Sequence, residues 1–203
     1  MSQQNIKQII KQEYLKCAKD PVYFMKKYCM IQHPTRGRIQ FNLFTFQEKV
    51  LGLLNKNERN IILKSRQLGI STLSAGMSLW YMLFQKDINV LVIATKQDTA
   101  KNLVTKVKFM YDGLPSWLKL GFVENNKLAL RLKNGSQIKA VSAASDAGRS
   151  EAISLLIIDE TAFIEENRIE EIWGSSQQTL STGGKAIVLS TPNGTGNFFH
   201  RMW

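Results

Sequence analysis

The first part of the chain carries apolar residues at helical spacing, which predicts an amphipathic helix: Ile6, Ile9, Ile10 and Tyr14. Asp20 and Pro21 are typical of a helix cap and a first turn, so a second helix is expected to begin there. The segment "QHPTRGRIQF" is typical of a loop with a strand at its end. A short helix is expected to begin near Phe46 and Gln47.

From Asn60 onward, short apolar runs alternate with helical patterns. The runs predict strands, and in chain order they are "NIILK", "INVLVIAT", "SLLIIDE" and "KAIVLST". Helices are expected through about Phe84, after Asp98 as a cap, and around "RIEEIW". Asn134-Gly135 is typical of a hairpin between "KLALRL" and "QIKAVS". Strands that alternate with helices predict an α/β fold with a mostly parallel central sheet and helices on both faces.

Length and composition limit the class of protein. The 203 residues, 44% of them hydrophobic, are enough for one globular domain with a sizeable core. We expect a small helical lobe over residues 1–45, packed on a core over residues 46–203. No apolar run approaches the roughly 18 residues that cross a bilayer, and the polar N-terminus has no signal-peptide core. Two cysteines, Cys17 and Cys29, form neither a metal spacing nor a disulfide framework, so a soluble protein of a reducing, intracellular compartment is expected.

The formal net charge is +11, and the basic residues are spread through folded segments rather than gathered in a tail. Such a surplus favours polyanionic partners, because each neutralised phosphate releases condensed counterions. A solubilising surface explains the same surplus equally well. Charge alone therefore leaves nucleic-acid binding as one of two explanations.

The segment "KSRQLGIST", Lys64 to Thr72, lies between an apolar strand and an apolar helical stretch, where a phosphate-binding loop is expected. Such a loop needs backbone N–H groups at a helix N-terminus, a cation near the transferred phosphate, and a hydroxyl that holds magnesium. Gly69 occupies the position of the second glycine in G-x-x-x-x-G-K-[ST], and Ser71, or failing it Thr72, supplies the hydroxyl. The alternative is an ordinary strand-to-helix turn that Ser71 caps.

Ile70 holds the position of the usual lysine in this loop and supplies no charge. Two cations precede it, Lys64 at the loop entrance and Arg66 on the upstream limb. An arginine that reaches across a short loop can hold a phosphate through two hydrogen bonds, which a lysine cannot do. We therefore expect Arg66 to be the principal cation and Lys64 the reserve.

An apolar run leads directly into the acidic pair Asp159 and Glu160. In open α/β sheets the carboxyl ends of the strands face the ligand crevice, so both carboxylates are expected there. Asp159 would orient the magnesium shell, and Glu160 would accept a proton from the attacking water or orient it. The alternative is an acidic cap on the following helix, but together with the upstream loop the pair favours nucleotide hydrolysis. Ser190 and Thr191 end the next strand and could bond the γ-phosphate or the lytic water, or serve as turn residues.

Two further polar residues are candidates for nucleotide contacts. Gln47 could read adenine, because an amide offers both a donor and an acceptor to the base edge, although an isolated glutamine on an amphipathic helix is more often on the surface. Arg149 stands alone in the small-residue loop "SAASDAGRSEA". It is either a charge-stabilising arginine, for its own site or a neighbour's, or a solvated loop residue.

Six segments, in this order, resemble the large terminase subunit of tailed bacteriophages, the ATPase that packages DNA into capsids: "FNLFTFQEKVL", "KSRQLGIST", "IATKQDTAKNLV", "KNGSQIKAVSAASDAGRSEA", "LLIIDETAFI" and "VLSTPNGTGNFF". The resemblance covers about Gln32 to Trp203 and points especially to the myovirus-type branch. It implies a RecA-like P-loop NTPase fold of the ASCE class, with ATP and Mg²⁺ as the ligands.

The resemblance also implies roles for individual residues. Gln47 resembles the adenine-reading glutamine of the family, Asp159 its magnesium aspartate, and Glu160 its catalytic glutamate. With Ser71 as a second magnesium ligand, the nucleotide is expected to contact the loop residues Lys64, Ser65, Arg66, Gln67, Leu68, Gly69, Ile70, Ser71 and Thr72.

Two arginines and a serine-threonine pair complete the implied site. Ser190 and Thr191 resemble the coupling motif, which is thought to link hydrolysis to motion. Arg66 and Arg149 match positions of phosphate-contacting or finger arginines, and which of them acts in cis or in trans stays open. Ile70 departs from the many relatives that keep lysine there, while others place the cation on the upstream limb. Large terminases continue into a nuclease domain that this chain is expected to lack, so no nuclease activity is assigned.

By resemblance, the chain is expected to hydrolyse ATP with Mg²⁺ and to power translocation of double-stranded DNA into a phage procapsid. The implied partners are the portal protein, the small terminase subunit and further copies in a ring at the portal vertex, in the host cytoplasm, with a monomer in isolation. One alternative is a fragment of a superfamily-two helicase or translocase, which shares the glutamine, the loop and the acidic pair. The other is a nucleic-acid-binding scaffold that hydrolyses nothing.

Overall fold

The protein is built around one twisted seven-stranded sheet. The computed structural model describes residues 3–144 and 152–203. The strands lie at Met30–His33 (β1), Gly37–Gln40 (β2), Arg59–Leu63 (β3), Asn89–Ala94 (β4), Phe122–Asn125 (β5), Ala129–Leu132 (β6), Gln137–Ser142 (β7), Leu155–Asp159 (β8) and Lys185–Ser190 (β9). The helices are Gln3–Lys19 (α1), Pro21–Tyr28 (α2), Thr45–Lys56 (α3), Ile70–Phe84 (α4), Gln97–Asp112 (α5), Glu166–Leu180 (α6) and Phe198–Met202 (α7).

The order of strands in the sheet is β3-β9-β8-β4-β7-β6-β5. The first five strands of this order run parallel, and β6 and β5 continue the sheet antiparallel. The last strand in sequence, β9, therefore lies between β3 and β8. The predicted α/β fold with a mostly parallel sheet is confirmed.

Both faces of the sheet are covered, as the apolar runs predict. In β4, Val90 and Val92 pack on one side with α4 and α5, whereas Leu91 and Ile93 pack on the other side with α6. Alternate residues of a strand point to opposite faces, so a run without polar positions must have a hydrophobic layer on each side. These two layers hold the carboxyl ends of the parallel strands at one edge.

The N-terminal segment joins the core on the α4 side. Phe24 and Met25 of α2 are fully buried in that core, and the indole N–H of Trp80 donates to the carbonyl of Cys17 at 2.8 Å. Segments on both sides of residue 45 thus share one hydrophobic cluster, and the division into residues 1–45 and 46–203 stays a prediction. No helix in the described ranges is both long and apolar enough to cross a bilayer.

Local details differ from the sequence predictions in three places. The stripe of α1 is largely solvent-exposed, with Ile9 at 55% exposure, because α1 packs through Cys17 near its C-terminal end. The prediction that Asp98 caps α5 is wrong: the helix begins at Gln97, so Asp98 lies in its first turn. Finally, β1 pairs with the predicted strand β2 in a hairpin, and the sequence pattern indicated neither β1 nor β5.

Candidate active site

The loop between β3 and α4 has the backbone of a glycine-dependent turn. Gly69 has a φ of +72° and precedes the first residue of α4, and Gln67 is also left-handed, with a φ of +63°. A Cβ at Gly69 would lie 2.7 Å from Nε2 of Gln47, which is too close for a real contact. Glycine is therefore required both by the conformation and by the close approach of Gln47.

Gln47 ties this loop to α3. Its Nε2 donates to the carbonyl of Leu68 at 2.9 Å, and its Oε1 accepts from the backbone N–H of Phe44 at 3.0 Å. The residue is only 3% exposed, unlike a surface glutamine. Beside it, the exposed rings of Phe44 and Phe46 stack with centroids 5.9 Å apart.

The acidic pair stands at the carboxyl end of β8, next to the loop. The hydroxyl of Ser71, in the first turn of α4, donates to Oδ2 of Asp159 at 2.9 Å. Asp159 is buried, and its Oδ1 accepts from the N–H of Glu160 at 2.9 Å. Glu160 itself has a left-handed φ of +54°, a conformation that costs free energy for a residue with a Cβ and is often found at functional sites.

Lys64 completes the cluster. Its ammonium lies 2.8 Å from Oε1 of Glu160 and 3.4 Å from Oδ1 of Asp159, and its side chain is 9% exposed. Arg66 is exposed and, within residues 3–144 and 152–203, makes no hydrogen bond or ion pair. The structure thus brings Lys64, the expected reserve, to the acids, and leaves Arg66 on the outside of the loop.

The charge of Glu160 follows from these neighbours. Partial burial by itself raises the pKa of Glu160, but the hydrogen bond and the charge of Lys64 lower it, and hydrogen bonds from Thr191 lower it further. The net pKa lies below the usual glutamate value. Glu160 is therefore a carboxylate at neutral pH, and at that pH it accepts protons or hydrogen bonds rather than donating them.

Ser190 and Thr191 differ from each other in what they contact. Ser190 is fully buried: its Oγ accepts from the N–H of Ala162 at 3.1 Å, and its carbonyl accepts from the N–H of Lys64 at 3.0 Å. The hydroxyl of Thr191 donates to Oε2 of Glu160 at 3.2 Å. Ser190 therefore holds the backbone on both sides of the site, while Thr191 contacts the glutamate directly.

The remaining loop residues surround a shallow cavity of about 190 Å³. Its lining includes Lys64, Ser71 and Thr72, and Ser65 on the rim is exposed. Ile70 is 4% exposed and packs in the hydrophobic core. The residue that replaces the usual lysine has thus become a core residue, and the cavity takes its positive charge from elsewhere.

Lys106 of α5 also lines this cavity, and the sequence interpretation did not single it out. A signal was present, since Lys106 stands three positions after Leu103 and four before Met110, both of which are buried. A lysine on the buried stripe of a helix is unusual. Arg149, the other predicted arginine, lies outside the described residues.

The site suits a magnesium ion that is shared with a bound phosphate. Mg²⁺ is held in such sites by one or two protein oxygens together with phosphates and water, and Ser71 Oγ and Asp159 Oδ2 already lie within hydrogen-bond distance. Among the described residues there is no group of three or more His, Cys, Asp or Glu side chains that would bind a metal without a substrate. A metal at this site would therefore depend on the phosphate as well.

Three solved structures share this architecture. The HK97 bacteriophage large terminase is similar at a TM-score of 0.69 and 16% identity, over 86% of this chain and 37% of that one. The large terminase from a thermophilic bacteriophage, in complex with ATP-gamma-S, gives 0.63 and 14%, over 80% and 41%. The UvsW helicase from bacteriophage T4 gives 0.60 and 14%, over 91% and 64%. At these identities the likeness concerns the fold.

The chain spans less than half the length of these two terminases. RecA-like ATPase architecture is consistent with all three structures, and it does not by itself separate a terminase from a helicase. The family is decided by the sequence itself. Residues 61–203, from β3 to α7, match the family described as terminase large subunit, T4likevirus-type, N-terminal. This chain therefore belongs to the T4-like terminase large subunit family and corresponds to its N-terminal part.

Proposed function

We propose that this protein is a magnesium-dependent ATPase that powers translocation of double-stranded DNA into a phage procapsid. The observation that carries the proposal is the convergence of Lys64, Ser71, Asp159 and Glu160 around the loop that precedes α4. A cation, a hydroxyl, a magnesium-type aspartate and a glutamate are the parts that phosphoanhydride hydrolysis requires. Membership of the terminase family supplies the packaging role.

Lys64 is the cation that we propose for the phosphates, with Arg66 in second place. Lys64 already lies in the cavity, whereas Arg66 would have to turn inward from the surface. A triphosphate in the loop competes with Glu160 for the ammonium of Lys64. The amides at the start of α4 supply further donors to the phosphates, helped by the helix dipole.

Ser71 and Asp159 are the residues that would hold Mg²⁺. When bound, the ion neutralises charge on the phosphate oxygens and fixes their orientation. Asp159 then exchanges the hydroxyl of Ser71 for the metal without a change of backbone, because both groups already face the same point. Thr72, the alternative hydroxyl, lines the cavity but has no contact with Asp159 in the part of the chain that the structure describes.

Glu160 is the group that we propose to orient the attacking water and accept its proton. Its carboxylate is ionised and partly exposed, so water can reach it. Thr191 holds one carboxylate oxygen, and Lys64 holds the other. Because Thr191 follows β9 directly, a movement of Glu160 during hydrolysis would be felt at the end of that strand, which supports a coupling role for Ser190 and Thr191.

Adenine is proposed to bind beside Gln47. One N–H and one lone pair of its amide remain free after the contacts to Leu68 and Phe44, and these are the donor and acceptor that the base edge needs. The exposed rings of Phe44 and Phe46 offer a stacking surface at the same place. Binding of ATP over GTP tests this assignment.

Double-stranded DNA, the portal protein, the small terminase subunit and further copies of the chain are the proposed partners. The net charge of +11 supports a DNA-binding surface, for which α5, with the lysines between residues 101 and 108, is a candidate. Arg149, or Arg66, would serve a neighbouring subunit in a ring at the portal vertex of the procapsid, in the host cytoplasm. DNA binding is expected to weaken steeply with salt.

ATP turnover is the test of the proposal. Phosphate release by the purified chain, with Mg²⁺ and with or without DNA, should depend on Glu160. Strand separation of a duplex by the chain would favour the helicase alternative, whose fold UvsW shares. Salt-sensitive DNA binding without turnover at any concentration would select the scaffold alternative.

A further inference from the structure

Lys106 lies between two cavities. It lines the phosphate-loop cavity together with Lys64 and Ser71, and it also lines an adjoining cavity of about 390 Å³ between α4, α5 and the β1–β2 hairpin. Thr72 is the other residue that the two cavities share. The side chain of Lys106 therefore forms part of the wall of the site, opposite the loop and on a different helix.

The ammonium of Lys106 has been placed there without a counterion. Burial lowers the pKa of Lys106, which Asp159 partly offsets and the charge of Lys64 reinforces. Over residues 3–144 and 152–203, no acidic oxygen lies within 4.0 Å of it, because Asp159 and Glu160 are engaged by Lys64. A partly buried ammonium without an anion is unfavourable unless another molecule supplies the anion.

The electrostatic neighbours of Lys106 indicate which part of a nucleotide it would meet. Asp159 and Lys64, the two charges that act on it, mark the magnesium end of the site. In a triphosphate this end holds the terminal phosphate, and in a diphosphate that phosphate is missing. The neighbouring lysines of α5 are different: Lys101, for instance, pairs with Asp98 at 3.8 Å and lines neither cavity.

We propose that Lys106 contacts the terminal phosphate of the bound triphosphate and so lets α5 distinguish ATP from ADP. This inference rests on the proposed ATPase function and adds a residue and a helix to it. Lys106 acts from outside the loop, in addition to Lys64. The contact would also connect the terminal phosphate to β1, against which α5 packs.

Nucleotide binding by Lys106→Met and by Lys108→Met tests the proposal. Both changes remove one positive charge from α5, but Lys108 lines neither cavity. We expect Lys106→Met to weaken ATP-gamma-S binding about 10-fold or more while ADP binding changes less than about 2-fold, since one hydrogen bond to a charged group is lost. Lys108→Met should leave both affinities near those of the original chain.

Each other outcome overturns something definite. An equal loss of both nucleotides, or no loss, removes the proposed contact of Lys106 but leaves the ATPase proposal standing. If the unmodified chain binds neither nucleotide, both proposals are lost. If the two lysine variants behave alike, the effect is one of net charge, and the contact is again disproved.

Two measurements separate a contact with nucleotide from a structural role. Without nucleotide, Lys106→Met should melt at the same temperature as the unmodified chain or higher, since a buried charge without an anion has been removed. A marked fall in melting temperature would indicate that the lysine supports the fold and would contradict the proposal. In the unmodified chain, ATP-gamma-S with Mg²⁺ should protect Lys106 from an amine-acetylating reagent, measured by mass spectrometry, and ADP should not.

Discussion

Oε1 of Glu160 lies 2.8 Å from the ammonium of Lys64, although the two residues are far apart in sequence. The proposed phosphate cation and the proposed catalytic base thus neutralise each other when no nucleotide is bound. A phosphate that attracts Lys64 removes the interaction that lowers the pKa of Glu160. Glu160 then becomes a stronger base at the moment when substrate is in place, which would limit idle chemistry in the empty site.

Replacing Glu160 by Gln should abolish turnover and leave nucleotide binding intact. Gln keeps the shape of the side chain but cannot take a proton, and loss of a general base lowers a rate by about 10²–10⁴-fold. Phosphate release and ATP-gamma-S affinity are the two measurements. Glu165→Gln, at an exposed position five residues on, is the matched control and should be neutral. Near-normal turnover in Glu160→Gln would remove Glu160 from catalysis.

Lys64→Ala should weaken ATP binding much more than Arg66→Ala. A charged hydrogen bond contributes about 1.5–3 kcal/mol, so the expected loss for Lys64 is about 10- to 100-fold. Arg66 is exposed, and its replacement should change the affinity by less than about 3-fold in the isolated chain. Titration with a fluorescent ATP analogue measures both. A larger effect at Arg66 would restore the order of the two cations that the sequence suggested.

Gly69→Ala should destabilise the protein and impair nucleotide binding together. The left-handed backbone at Gly69 costs a residue with a Cβ about 1–2 kcal/mol, and the new Cβ would meet Nε2 of Gln47. Gly52→Ala is the control, because Gly52 lies in α3 with open space around it and should gain about 0.5–1 kcal/mol. The free energy of unfolding in denaturant gives both signs, and a neutral Gly69→Ala would contradict the close contact.

Acid should loosen the contact between α1 and α2 through Glu13. Hydrogen bonds from Lys27, Tyr23 and Tyr28 lower the pKa of Glu13 from 4.5 to about 2. Because the pKa is lower in the folded state, the contribution to stability is present above pH 4.5 and is lost as the pH falls toward 2. Glu13→Gln should flatten the fall of unfolding free energy over this range. An unchanged pH profile would show that the three contacts do not stabilise the carboxylate.

Much of the fold is legible in the sequence because the sheet is buried on both sides. Runs such as Leu155–Asp159 have no polar interruption, and the polar residues that follow them mark the carboxyl edge of the sheet. The positions of Asp159, Glu160, Ser190 and Thr191 at one edge follow from this pattern. In α1 the pattern predicts the helix correctly but not its packing, since a spacing of three and four does not say whether a partner covers the stripe.

The details of the site depend on directions that spacing does not encode. Lys64 still bonds to Ser190 as a strand residue would, so its side chain turns toward β8, whereas Arg66 follows after the strand has ended. The left-handed residue Gln67 then redirects the loop. Lys106 was missed because it lies on a helix with several other lysines, and only the three-dimensional structure shows which of them faces the loop.

The place of β9 between β3 and β8 has a consequence for biosynthesis. The strand that carries the phosphate loop has no other neighbour in the sheet, so it remains unpaired until Lys185–Ser190 has left the ribosome and been inserted beside it. Pairing over so long a stretch of chain is slow and leaves an open strand edge exposed in the meantime. A nascent chain interrupted before this point should therefore be sticky and unable to retain nucleotide, and competence should arrive in one late step rather than gradually.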